Sequence, residues 1–151
     1  MPDIDAISTA IAARFTAAAI TGAGGPPAGL TNVRTATADL PNLMPALPAV
    51  LVFPDSGSLE PGNGTRVGDG RFLVRFYFTR QRNLPRELNA CRRWLTVLLG
   101  QHLAALTLGG TVVAVRTIGW RIATLPYAGM EYTGIELVDQ VVTSEPWAPT
   151  A

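Results

Sequence analysis

RFLVRFYFT, Arg71 to Thr79, is the stretch whose reading decides the fold. Phe72, Val74, Phe76 and Phe78 alternate with Arg71, Leu73, Arg75 and Tyr77, and a period of two marks a β-strand whose faces meet different surroundings. One face reads as dry, the other as mixed. A sheet that is apolar on one side must bury that side against another layer, and the flanking sequence supplies helices for it.

Downstream, Pro85 suits a first helical turn, and Leu88, Cys91, Leu95, Leu98, His102 and Leu106 follow at three- and four-residue intervals. A second stripe, Ala90, Trp94, Val97, Gln101 and Ala104, is displaced around the same helix, which is therefore expected to pack on two faces. Upstream, Ile4, Ile7, Ile11 and Phe15 predict an amphipathic helix from Asp3, as N-cap, to about Ala18. TGAGGPPAG, Thr21 to Gly29, ends it as a connector.

Leu30 to Thr37 and PAVLVFP, Pro48 to Pro54, read as two short strands, the second closed by Pro54. Beyond the long helix, Gly109 and Gly110 open a strand from Thr111 to about Leu125, with Gly119 as a bulge. PYAG, Pro126 to Gly129, is the turn into a last strand, MEYTGIELVDQVVT, and a proline-broken tail from Ser144 to Ala151 in which Trp147 is a candidate anchor. Turns rather than helical crossovers join consecutive strands. The expected class is therefore α+β, a mostly antiparallel β-sheet with two α-helices packed on it, in one domain spanning residues 1–151.

Composition narrows the function classes. With 48% apolar and only 15% charged residues the chain exceeds the hydrophobicity of disordered sequences, and apolar area left over in a small domain is usually covered by neighbouring subunits. A net charge of +1 gives no long-range field toward nucleic acid or an anionic membrane. All 12 basic residues are arginine, so lysine-based chemistry has no candidate. The single cysteine suits a reducing compartment, the acidic N-terminus does not look like a secretory signal, and no apolar run approaches the roughly 20 residues of a membrane span. A soluble protein is expected.

Reactive constellations are missing from the pattern. DSGSLEPGNGTRVGDGRF, Asp55 to Phe72, spaces its glycines G-x-G-x-x-x-G and leads into a strand, whereas phosphate binding needs a helix N-terminus there. It reads as an extended hairpin excursion over residues 55–70 whose glycines supply positive φ angles and mobility. His102, the lone imidazole, and Cys91 both fall on an apolar helical stripe and read as packed, unreactive side chains. The acids are scattered, and the arginines from Arg80 to Arg93 read as a solvated face. No catalytic residue, cofactor or metal site is expected.

Taken together, the segments DIDAISTAIAARF, LPAVLVFPD, the long hairpin, RFLVRFYFTR, the Leu88 to Leu106 helix and YTGIELVDQVV resemble, in order and character, the tail terminator proteins of long-tailed bacteriophages. That resemblance implies a structural virion protein and not an enzyme, made in the host cytoplasm and placed at the tail–neck junction. Six copies would close into a ring that caps the tail tube, stops its polymerisation and meets the head connector, while genomic DNA passes through the lumen without specific binding. Neck or head-completion proteins of the same viruses, and a monomeric small-ligand binding module, are the alternatives. Ring closure requires one patch of each subunit to meet a different patch on the next. The candidate interface residues are Trp94 and Val97, which either pack on the first helix or join that contact, together with Leu59, Glu60, Arg66, Val67 and Asp69 of the hairpin, which is expected to order on assembly.

Overall fold

A computed structural model describes residues 4–61, 65–80, 84–103 and 114–146, with the backbone alone at 59–61, 65–67, 84, 102–103, 118 and 144–146. The alternating stretch lies in the central strand β3, Thr65–Arg80. It pairs antiparallel with β2, Ala49–Pro61, on one side and with β5, Met130–Pro146, on the other. β4, Ala114–Tyr127, pairs antiparallel with β5, and β1, Thr35–Thr37, pairs parallel with β2. The sheet order is β1-β2-β3-β5-β4, and the architecture is α+β as the sequence predicts.

Three helices are described: α1, Ile4–Ala13; α2, Ala17–Gly22; and α3, Leu84–Leu103. Phe72, Val74 and Phe76 lie opposite Asp139, Leu137 and Ile135 of β5 and are buried in one core with Ile7, Ile11, Phe15, Ile20, Trp94 and Leu98 of the helical layer. Alternation thus sends one side of every strand into a single apolar layer, which is how the sheet hides its dry face from water.

The first predicted helix divides in two. Arg14 and Phe15 bond back to the Ile11 and Ala12 carbonyls at 3.1 and 3.0 Å, a tightened last turn, and Thr16 caps a new helix by accepting from the Ala19 amide at 3.3 Å. The break leaves Phe15 in the core, so the apolar spacing survives although the axis changes. α2 reaches Gly22, into the segment expected as connector, while the Asp3 cap lies outside the described residues. Of Leu30 to Thr37 only three residues form a strand; before them Asn32 donates to the Ala17 carbonyl and to Thr21, fastening the connector to α2.

Two larger corrections concern α3 and the hairpin. The two apolar stripes of α3 merge into one broad buried face, Glu87, Cys91, Trp94, Leu95, Leu98 and Gln101, with Ala90 and Val97 at its margin. Gln101 earns its burial by donating to the Ala19 carbonyl at 3.0 Å. The glycine-rich excursion, in turn, is mostly ladder: β2 runs through Pro54 to Pro61, and Gly57, Ser58 and Leu59 face Gly70, Asp69 and Gly68. A Cβ at Gly57 would come within 2.9 Å of the Asp69 carbonyl oxygen, so this glycine permits close backbone approach rather than a left-handed bend. Among the described glycines, positive φ occurs at Gly24, Gly25, Gly29 and Gly129 and not in the hairpin arms. Gly62, Asn63 and Gly64 at the tip, like Trp147 of the tail, lie outside the described residues.

The last hairpin follows expectation at its bulge and turn. β4 runs on to Tyr127, however, and β5 continues through Ser144 to Pro146, into the segment expected as tail, because pairing with Thr65 to Val67 holds it in the sheet. A register shift between Thr117 and Gly119 marks the bulge, and Ala128 and Gly129, both at positive φ, form the two-residue turn between Tyr127 and Met130.

Candidate interaction surfaces

The sheet face turned away from the helices has two halves. Leu51, Tyr77, Leu125 and Tyr132 form a small apolar cluster covered by Met44 and Leu47, from the segment that follows β1. Tyr77 meets Tyr127 and Tyr132 edge-on, and the Tyr127 hydroxyl donates to the Pro41 carbonyl, holding that segment across the sheet. Toward the long hairpin the face is polar. Glu136 accepts from Arg75 at 2.7 Å and from Arg121 at 3.0 Å, a row running across β3, β5 and β4. Two rows further on, past Leu73 and Val138, Arg116 donates to Gln140 at 2.6 Å and Gln140 donates to Asp69 at 2.8 Å. Burial pushes the Glu136 carboxyl upward, but the hydrogen bonds and charges of Arg121 and Arg75 outweigh it and hold the group below its usual range.

The predicted interface residues fall in two places: Leu59, Glu60, Arg66, Val67 and Asp69 are neighbours along the β2–β3 ladder, while Trp94 and Val97 lie on α3. Trp94 is 0% exposed, with its ring centroid 4.8 Å from that of Phe76, and so belongs to the core between α3 and the sheet instead of a subunit contact or a packing against α1 alone. Its volume and the dry face of β3 decide this: Trp94 is the largest of the fully buried side chains and packs on Phe76. Val97 is half-buried beside a cavity of about 540 Å³ shared with Ala23 to Pro26 of the connector. Asp69 lies on the polar sheet face, paired with Ser58 in the hairpin ladder. Leu59, Glu60, Arg66 and Val67 have their backbones in the hairpin ladder, and their side chains lie outside the described residues.

Chemistry is equally spread out. Cys91 is buried, and desolvation, with Glu87 nearby, pushes its thiol up to about 12, which leaves it inert. The His102 side chain lies outside the described residues. Among the described residues no three His, Cys, Asp or Glu side chains converge as metal ligands.

Three features escape the sequence reading. Asp139 is fully buried on the helix side of β5, where desolvation pushes its carboxyl up to about 7 against the bond from Thr117 at 3.3 Å. Its position was readable, since it shares the parity of Ile135, Leu137 and Val141. Glu87 is buried on α3 and accepts from Thr133 at 2.7 Å; it falls on the Cys91 and Trp94 stripe. Trp120 is 55% exposed on the outer strand β4, though an indole opposite Leu137 has the parity of a core residue. No sequence signal announces that, because exposure on an edge strand is set by tertiary neighbours and not by alternation.

Neither a protein-family model nor a curated protein matches this chain.

Proposed function

We propose that this chain is a structural subunit of the tail-terminator type: a virion protein, without enzymatic activity, that closes into a six-membered ring on the end of a phage tail tube. The supporting observation is the long hairpin, in which β2 and β3 carry their ladder across a register shift between Pro54 and Ser56, to Pro61 and from Thr65, beyond Val52 and Phe72, the last core side chains of these two strands. Such an extension offers backbone and side chains to a neighbour without disturbing the fold. The scattered ionisable groups and the polar sheet face suit a subunit that works by contact rather than by chemistry.

In this reading the partners are other copies of the chain, the tube protein and the head connector, and DNA only passes through. Negative-stain microscopy of the purified protein, alone and mixed with tail tubes, tests it: six-fold rings at tube ends are expected, and a monomer that leaves tubes bare and growing overturns it. A neck or head-completion subunit would bind connector but not tube in the same experiment. One observation favours a small-ligand module as second reading, a cavity of about 530 Å³ lined by Leu30, Phe78, Arg86 and Glu87, which is within the size range of ligand pockets. Saturable binding of a metabolite by a stable monomer would prefer it.

A further inference from the structure

The sheet ends in two long unpaired edges. β1 occupies the outer side of β2 only along Ala49–Leu51, so Val52 to Pro61 have no strand beside them among the described residues. At the opposite end β4 has no strand on its outer side over Ala114–Tyr127 among the described residues. Each edge presents backbone amides and carbonyls that another strand can pair.

The edges are unlike in ways that match. The β2 segment carries Asp55 and Glu60 and no base; β4 carries Arg116 and Arg121 and no acid. Beside the free part of β2, on the helix side of the sheet, lies an apolar groove of about 380 Å³ bounded by Ile4, Pro54 and Phe72. On the helix side of β4 stands Trp120, 55% exposed and among the few large apolar residues the fold leaves in water. A continuous sheet keeps its two faces, so joining the β4 edge of one copy to the β2 edge of the next puts this indole on the side of the groove.

Strand sense agrees as well. β2 and β4 run in opposite directions within a subunit, since β2 is antiparallel to β3, β3 to β5 and β5 to β4. Rotation about a ring axis preserves each strand's sense along that axis, so the join between copies is antiparallel.

We infer that successive copies of this chain associate by antiparallel addition of the β4 edge of one to the Val52–Pro61 edge of the next, with Trp120 seated against Ile4, Pro54 and Phe72. This rests on the ring reading above and specifies its interface. The contact is heterologous, as closed cyclic symmetry requires. Pro54, Pro126 and the β4 bulge interrupt both edges, which discourages indiscriminate strand addition while the charge pattern favours this pairing.

Two measurements decide it. Trp120→Glu, at an exposed position, is expected to keep the parent circular dichroism spectrum and Tm while its self-association in sedimentation velocity weakens at least about thirtyfold, the scale of an interface hot spot. Rings of Trp120→Glu as stable as the parent's would overturn the edge join and leave the ring standing. Independently, a photoreactive phenylalanine analogue at position 120, in a mixture of isotopically labelled and unlabelled subunits, is expected to cross-link to the peptide 54–72 of another copy. Cross-links to any other part of another copy overturn the join alone. A parent protein that never self-associates, at any concentration or on tubes, overturns the join and the ring together.

Discussion

The two faces of β3 are built from one stretch of chain and held by different physics. Phe72, Val74 and Phe76 go to the helical layer, where they and Trp94 are sealed from water; Leu73, Arg75 and Tyr77 go to a face covered partly by a crossing segment and otherwise left to a ladder of arginines and carboxylates. On the first, stability depends on filling volume; on the second, on charge pairs that solvent partly screens. A ring or tube contact made through the second face would therefore leave the fold untouched, whereas on the first only the margin, at Trp120 and at the groove beside Pro54, is open to a partner.

Substitutions can break or sharpen that contrast. The largest effect belongs to the dry face: Trp94→Ala removes its largest side chain and should lower stability by about 3–5 kcal/mol in denaturant titration. Trp94→Phe should lose much less, because the indole N–H has no hydrogen-bond partner among the described residues.

Asp139 tests the contrast from within, as an ionisable group on the volume-driven side. Its folded pKa of about 7 lies above the ordinary carboxylate value, so the native state binds the proton more tightly and Asp139 favours folding at low pH. That contribution is complete below about pH 4 and disappears as pH rises through about 7. Asp139→Asn should flatten this decline in Tm measured across the interval.

On the polar face the effects shrink. Glu136→Ala, which leaves the half-buried Arg75 without its carboxylate, should cost about 1–3 kcal/mol. Because the Glu136 pKa is depressed, its contribution is present above the ordinary carboxylate value and is lost as pH falls through the folded one. The two acids thus have opposite slopes with pH. Smallest of all, Arg116→Ala, an exposed donor to the neutral amide of Gln140, should change stability by less than about 1 kcal/mol in the same titration.

Legibility in the sequence followed the same division. The period-two pattern of β3, the Gly119 bulge and the Tyr127 to Met130 turn were readable because each is a local rule, of alternation or of turn geometry. The hairpin arms were not: glycine-rich sequence has low strand propensity, and only the facing of Gly57 with Gly70, fixed by pairing across the sheet, makes a ladder of it. Trp94 was placed on a separate helical stripe because a helix alone cannot reveal how wide the groove opposite it is. The break after α1 turned on the competition of Thr16 as a cap with continued helix, which apolar spacing does not report. Of the candidate surface, the sequence located the hairpin and not Trp120, whose exposure on the outer strand is a matter of tertiary neighbours.

The hairpin arms are not a lone pair of strands, for Thr65 to Gly70 are paired on their other side with Val141 to Pro146. Three strands side by side make a stiffer tongue than two would, with its ladder already closed along the described length. A partner that docks on its described length meets a finished die and not a thread to be wound, so little chain entropy is surrendered at contact. Calorimetry of that encounter should lack the large negative heat-capacity change of coupled folding, and its on-rate should be that of rigid bodies colliding.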